Sequence, residues 1–233
     1  MDINCDLGEG LSNDAQIMPF ITSCNIACGA HAGNKNLMTT TVLLAKKNHV
    51  KIGAHPSFID RANFGRIEMN VSSEILTQQI IKQISLLKEI SEENGVELHH
   101  VKPHGALYNM AARNKEVALS VIDAVKYFDK ELIVYVPYGS LIVDELRHKN
   151  MPFYYESFAD REYLDDLTLM SRKDDRATIK NPQRVLERAK QLINLGTIKT
   201  FRGNNIKIKS DTICIHGDNP NAVAIVKSLS ELI

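Results

Sequence analysis

Short β-branched or apolar runs alternate with longer, helix-patterned segments along the whole chain, and this alternation limits the folds open to it. Strands are predicted over Ile3–Asp6, Ser23–Cys28, Val50–Ala54, Leu98–Lys102, Leu132–Val136, Phe153–Ser157 and Thr212–His216. Each is followed by a glycine, proline or polar turn. The most periodic helix spans Ser72 to Asn94, where Leu76, Ile80, Ile84 and Leu87 fall on one face. Ser72 and Ser73 can cap its start, and Gly95 supplies a left-handed stop. Further helices are predicted over Lys35–Asn48, Lys115–Tyr127, Ser140–Lys149, Pro182–Leu195 and Pro220–Leu232. Pro182 and Pro220 take first-turn positions behind Asn181 and Asn219 as caps. Strict strand–helix alternation calls for a parallel sheet covered by helices. An open doubly wound sheet and a closed barrel both satisfy it. A full eight-stranded barrel takes about 250 residues, so 233 residues suit seven strands. No linker, low-complexity tract or repeat interrupts the pattern, so residues 1–233 read as one α/β domain.

Charge removes several classes of function. Lys and Arg total 28, and Asp and Glu total 28, so the net charge is zero. Nothing is left over to neutralise a nucleic-acid backbone, and no polybasic stretch addresses an anionic membrane. No apolar run reaches the roughly 18 residues of a spanning helix, and the opening Met-Asp-Ile-Asn has no signal-like pattern. A cytoplasmic protein is expected. Cys5, Cys24, Cys28 and Cys214 lie in or beside predicted strands. The Cys24-x3-Cys28 spacing is not that of a redox pair, and the four read as small buried thiols.

The polar residues concentrate at strand ends. Asp6, His31, His55, His104, Glu156, His216 and Asp218 all stand at or just past the carboxyl end of an apolar strand. In parallel α/β architectures that edge is where sites are built. Alternation places His100, Lys102 and His104 on one face of their strand, and Asn4 and Asp6 on one face of theirs. A barrel interior would receive Asn4, Asp6, Lys102 and His104 together. Pairing Asp6 with Lys102 would satisfy two groups that are rarely buried alone. His49, His99 and His148 read as core residues held by hydrogen bonds. Asp160–Arg161 also fits a surface ion pair, Tyr108 a core aromatic, and Glu9 a helix cap. No Gly-x-x-x-x-Gly-Lys-Ser/Thr loop, third glycine after Gly8-x-Gly10, Gly-x-Ser-x-Gly elbow or His-Glu-x-x-His helix is present.

Several runs resemble one known family. They are Asn4-Cys5-Asp6-Leu7-Gly8-Glu9, Asn25-Ile26-Ala27-Cys28-Gly29, His31-Ala32-Gly33, Gly53-Ala54-His55-Pro56-Ser57, Phe64-Gly65-Arg66, Val101 to Asn109, Ala159-Asp160-Arg161 and Cys214-Ile215-His216-Gly217-Asp218. In this order they resemble the LamB/YcsF family. The resemblance implies a distorted seven-stranded β/α barrel, TIM-like and of the glycoside hydrolase/deacetylase kind. It implies ATP-dependent opening of 5-oxoproline to glutamate, with ATP as co-substrate of a complex with two partner subunits, B and C. Association into a homo-oligomer is compatible with it. Ala30, Asn34, Asn63, Met170-Ser171, Asn219 and Asn221 depart from the family's usual residues, around the site rather than at its ionisable members.

The expected chemistry assigns catalysis to Asp6, His55, Lys102 and His104. Lys102 with His104 or His55 would stabilise an oxyanion, and Asp6 would serve as base. Substrate contacts are expected from Asn4, Glu9, Asn25, Arg66, Tyr108, Asp160 and Arg161, with Arg66 or Arg161 gripping a carboxylate. An alternative is a metal-dependent amidohydrolase or deacetylase, with His31, His216 and Asp218 as candidate ligands of a divalent metal. A second is a non-catalytic lactam- or sugar-binding subunit.

Overall fold

A computed structural model describes residues 1–233. Nine strands form: β1 (Asp2–Leu7), β2 (Ser23–Ala27), β3 (Lys51–His55), β4 (Leu98–Val101), β5 (Ile133–Pro137), β6 (Phe153–Phe158), β7 (Thr197–Lys199), β8 (Asn205–Lys207) and β9 (Thr212–His216). The helices are α1 (Asp14–Ile17), α2 (Lys35–Asn48), α3 (Ser73–Glu93), α4 (Gly105–Ala111), α5 (Lys115–Phe128), α6 (Leu141–His148), α7 (Pro182–Leu195) and α8 (Ala222–Ser230). Seven parallel strands close into a barrel in the order β1-β2-β3-β4-β5-β6-β9, and β7 and β8 form a separate antiparallel pair.

Closure selects the barrel over the open sheet, and the interior side chains show why it holds. Outward residues such as Ile3, Cys5, Leu7, Ile26 and Ile213 are fully or almost fully buried beneath the helices in one continuous apolar cluster. The opposite face of the same strands is polar. Asn4 donates from Nδ2 to Glu156 Oε1 (3.0 Å) on β6 and to Thr212 Oγ1 (2.7 Å) on β9. Asn25 on β2 donates to Asn4 Oδ1 (2.8 Å), and its own Oδ1 lies 2.7 Å from His100 Nε2. The Asn4–Glu156 and Asn25–His100 contacts each reach past an intervening strand, so the network ties together β1, β2, β4, β6 and β9 around the closed lumen. Barrel lumens of this type are usually filled by branched aliphatic residues; here a hydrogen-bonded network takes their place.

One glycine makes the network possible. A Cβ on Gly53 would lie 2.1 Å from His100 Nε2, so a side chain there would occupy the space of the imidazole ring. The β3–β4 register also shifts beside Gly53, pairing it with His100 rather than His99. The His100 ring stacks on Tyr135, with centroids 4.0 Å apart.

Several local expectations change. The β7–β8 pair, α1 and α4 have no counterpart in the predicted elements. Three-residue strands are too short to show a period of two, and Pro103 and Gly105 mark a turn where α4 begins. Helix α8 starts at Ala222 rather than Pro220, because Asn219 Oδ1 accepts the Asn221 N–H (3.1 Å) and closes a turn first. Ser72 occupies the cap position of α3 without a capping bond, whereas Asn34, Asn114 and Asn181 do cap their helices. His49 and His148 are not held in the core: both are exposed. His49 ends α2 in a left-handed conformation (φ 58°).

Candidate active site

Lys102 follows β4 and is almost wholly buried at the centre of the lumen's carboxyl end. Its Nζ lies 2.9 Å from Asp6 Oδ1 and 2.8 Å from Glu156 Oε1. Asn4 Oδ1 (3.3 Å) and Cys214 Sγ (3.2 Å) complete its surroundings. Burial works against the ammonium charge, but the Asp6 carboxylate, with Glu156 beside it, more than restores it and raises the lysine well above its ordinary range. Burial would also raise the Asp6 carboxyl. The His55 ring and the Lys102 ammonium overcome that and hold it well below its ordinary value. Asn25 Nδ2 adds a hydrogen bond to Asp6 Oδ1 at 2.8 Å. The predicted Asp6–Lys102 pair therefore forms, and Glu156 makes it a triad. Burial pushes the Cys214 thiol far up, so it packs as a neutral group.

Beside this triad stand three histidines. His55 Nδ1 is 2.7 Å from the Lys102 carbonyl oxygen, and His55 Nε2 is 3.4 Å from Asp6 Oδ2. His104 Nδ1 is 2.9 Å from His55 Nε2, and His104 Nε2 is 3.0 Å from the Phe64 carbonyl oxygen. The His31 ring stacks on His104 with centroids 3.8 Å apart, and His31 Nε2 is 3.4 Å from Glu9 Oε1. Burial keeps His31 and His104 below the usual imidazole range. Gly65 permits this packing: a Cβ there would come within 2.5 Å of Ser57 Oγ and 3.0 Å of His31 Cβ.

A cavity of about 610 Å³ opens onto the cluster, and Asp6, His55, Arg66, Lys102, His104, Tyr108, Arg161 and His216 line it. The remaining expected site residues stand behind its wall. Asn4 and Asn25 brace the lysine triad from below. Glu9 turns to His31, which is shielded by His104. Asp160 is fully buried, no surface pair, and accepts from the backbone N–H of His216 (3.1 Å) and lies 2.9 Å from its Nδ1. Burial alone would raise Asp160, but His216 holds it below its ordinary value. Asn219 joins this pair, donating to Asp160 Oδ2 at 3.3 Å.

The arginines differ in how free they are. Arg66 and Arg172 converge on Asp218 Oδ2 at 2.9 and 2.8 Å. Arg161 donates to the carbonyls of Ala177 (3.2 Å) and Met170 (2.6 Å), and burial brings it down to about 10. The candidate metal ligands His31, His216 and Asp218 do not converge. His31 sits with Glu9, His216 with Asp160, and Asp218 is engaged by two guanidinium groups. Donor atoms of Glu9, His31, His55 and His104 do lie within 4.8 Å of one another, as do those of Asp6, Cys214 and His216.

Two wall features go beyond the sequence expectations, which placed Glu156 at a strand end without a role in the site. Glu156 carries a buried Oε2 with no hydrogen-bond partner, as does the Tyr108 hydroxyl, and both residues line the cavity. The Glu156 signal was its inward place on an otherwise aromatic and apolar strand. Burial and the Glu156 carboxyl push the Tyr108 phenol well up, so it is a hydrogen-bond donor. The segment from Arg161 to Arg172 also walls the cavity, through Leu164, Leu167, Leu169 and Met170. It carries only isolated bridges, Arg161 with Thr178 and Tyr163 with Leu169, and so has no periodic signature.

The model of the LamB/YcsF family matches residues 1–233. This chain belongs to the LamB/YcsF family. A family relative from Histophilus somni (strain 129Pt), named as the A subunit of 5-oxoprolinase, is 39% identical over 229 residues, covering 98% of this chain and 93% of that protein. A protein of the same name from Pyrococcus furiosus (strain ATCC 43587 / DSM 3638 / JCM 8422 / Vc1) is 43% identical over 230 residues, covering 97% and 90%. Among solved structures, the lactam utilization protein from Thermus thermophilus is similar with a TM-score of 0.92 at 35% identity, covering 100% of this chain and 96% of that one. No helix of this LamB/YcsF chain is long and apolar enough to cross a membrane.

Proposed function

We propose that the chain is the A subunit of an ATP-dependent 5-oxoprolinase and carries the hydrolytic opening of the lactam of 5-oxoproline to L-glutamate, together with partner subunits B and C. The full-length match to relatives that bear the name of that A subunit carries this reading. A five-membered lactam is an unactivated amide, and phosphoryl transfer from ATP to its oxygen, with release of ADP, makes the ring carbon electrophilic. Water then adds to that carbon, and the C–N bond breaks with its electron pair going to nitrogen. The resulting acyl phosphate is hydrolysed to the glutamate carboxylate and inorganic phosphate. With no glycine-rich phosphate loop in this chain, we assign the phosphoryl transfer to the partners and the water-addition step to this barrel.

The cavity wall supports the assignment. Lys102 is surrounded by Asp6, Glu156 and Asn4, which match its three N–H donors. Its part is then to fix two carboxyl groups and to supply a positive field near the developing oxyanion. The unpartnered Tyr108 hydroxyl donates to the ring nitrogen as the C–N bond breaks, and the unpartnered Glu156 Oε2 accepts a proton from the attacking water. Asp6, held ionised, orients that water. Arg66 and Arg172 place positive charge at the mouth for the substrate carboxylate, with the buried Arg161 in the wall beside them.

The test is glutamate release from 5-oxoproline and ATP by this chain alone and with the B and C subunits. Turnover only in the mixture is expected. Robust turnover by the single chain would overturn the division of labour, and no glutamate from the mixture would overturn the reading itself.

A further inference from the structure

His55 and His104 present a hydrogen-bonding conflict that an added cation resolves. A backbone carbonyl oxygen can only accept, so the Lys102 carbonyl, 2.7 Å away, fixes the His55 proton on Nδ1. The Phe64 carbonyl, 3.0 Å away, fixes the His104 proton on Nε2. In neutral rings this leaves His55 Nε2 and His104 Nδ1 as bare lone pairs, and they face each other at 2.9 Å. Two acceptors at that distance repel unless something positive lies between or beside them. The surroundings favour positive charge: Glu9 Oε1 is 3.8 Å from His104 Nδ1, and Asp6 Oδ2 is 3.4 Å from His55 Nε2.

We propose that His55 Nε2, His104 Nδ1 and Glu9 Oε1 form a binding site for one divalent transition-metal ion of the zinc class. The inference goes beyond the lactam reading and does not depend on it. Donors held about 2.05 Å from a tetrahedral ion are separated by roughly 3.3 Å, and the separations here, 2.9 and 3.8 Å, bracket that value. Two imidazoles and one carboxylate suit zinc, and the carbonyl bonds at the far ring nitrogens are the usual outer support of metal-binding histidines. His31 is not a fourth ligand. Its ring lies parallel to His104, 3° between planes, so the two cannot both aim in-plane lone pairs at one ion. Its Nε2 instead faces Glu9 Oε1 at 3.4 Å and orients that carboxylate. Because His55 and His104 line the cavity, an ion held there has a face open to it. Such an ion would polarise a bound water or carbonyl beside Lys102.

The test uses the full chain, stripped with a chelator and then titrated with Zn²⁺ by calorimetry and with Co²⁺ by visible absorption. One ion per chain is expected, with the intense d–d bands of low-coordinate cobalt. His55→Gln and His104→Gln should each weaken binding about 100-fold or more, with folding checked by near-ultraviolet circular dichroism. Should those variants fail to fold, Glu9→Gln, which keeps the size and shape of the side chain, should still weaken binding at least about tenfold and alter the cobalt spectrum. Absence of Zn²⁺ and Co²⁺ binding by the wild-type chain would overturn the proposal and leave a shared proton as the cation between the rings. Equal affinity in a folded His104→Gln or Glu9→Gln variant would overturn it as well.

Discussion

At the amino end of the barrel, the half-buried Asp2 carboxyl accepts from Thr22 Oγ1 (2.6 Å), Ser23 Oγ (2.8 Å), Thr212 Oγ1 (2.5 Å) and Tyr135 OH (3.3 Å). Neutral hydroxyls satisfy it, and none of these side chains keeps a buried atom without a partner. At the carboxyl end, Asp6 and Glu156 share the ammonium of Lys102, while Tyr108 OH, Glu156 Oε2 and His31 Nδ1 are buried with no partner. Both ends are polar, and both sit on the same strands. The difference is completeness: a finished network stabilises the barrel, whereas an unfinished one costs stability and leaves groups free for a ligand. An unpaired buried polar atom is expensive, so Tyr108 OH and Glu156 Oε2, which face the cavity, single out this end as the candidate site.

The largest effect is expected at Lys102. Replacing it with Met keeps the stem but leaves the Asp6 and Glu156 carboxyls without their cation. Urea denaturation should show a loss of about 3–5 kcal/mol, and the reconstituted assembly should lose activity by tens of fold or more. Unchanged stability would mean that the two carboxyls do not depend on the lysine. Asp2→Ala should cost less, about 2 kcal/mol, as expected for hydrogen bonds to a charged acceptor. Activity per folded molecule should be preserved. A large kcat defect in that variant would erase the distinction between the two ends.

Acid titration sharpens the picture in the layer between them. Burial, with His99 and Lys102 nearby, holds His100 well below the usual imidazole range, so it stays neutral in the folded chain. The unfolded chain takes up that proton near the ordinary value of 6.5. Its contribution to stability is thus complete above that pH and declines as the pH falls toward the folded value, by at most about 1.4 kcal/mol per pH unit for one proton. Denaturation midpoints of wild type and His100→Gln between neutral and mildly acidic pH should diverge in slope by that one-proton share; parallel slopes would rule it out. The smallest stability effect belongs to Tyr108→Phe. Removing a hydroxyl that has no partner should shift stability by no more than about 0.5 kcal/mol, yet turnover or lactam affinity should fall about tenfold through the lost ligand hydrogen bond. A marked destabilisation would show that the hydroxyl serves the fold instead.

Much of this was legible in the residues. The alternation of strand and helix patterns identified the seven barrel strands. Strand-end placement drew attention to Asp6, His55, Lys102, His104 and His216, all of which meet at one cavity. The period of two put Asn4 with Asp6, and His100 with Lys102, on shared faces. These features survive because they are local: a strand's two faces and its carboxyl end are properties of a few consecutive residues.

Other features depend on which segments meet. Barrel closure over an open sheet, Glu156 as the second partner of Lys102, and His31 hidden behind His104 join residues separated by many tens of positions. The Arg161–Arg172 wall has no repeating pattern for a sequence to display. Whether a polar residue is bonded, orphaned or opposed by another acceptor is also a matter of distance and direction, fixed when the strands close. Neighbours along the chain thus fix the seven barrel strands, their order and the rim on which ionisable groups gather. The tertiary structure alone decided which of those groups are satisfied and which are free, because hydrogen bonds and desolvation act between neighbours in space rather than along the chain.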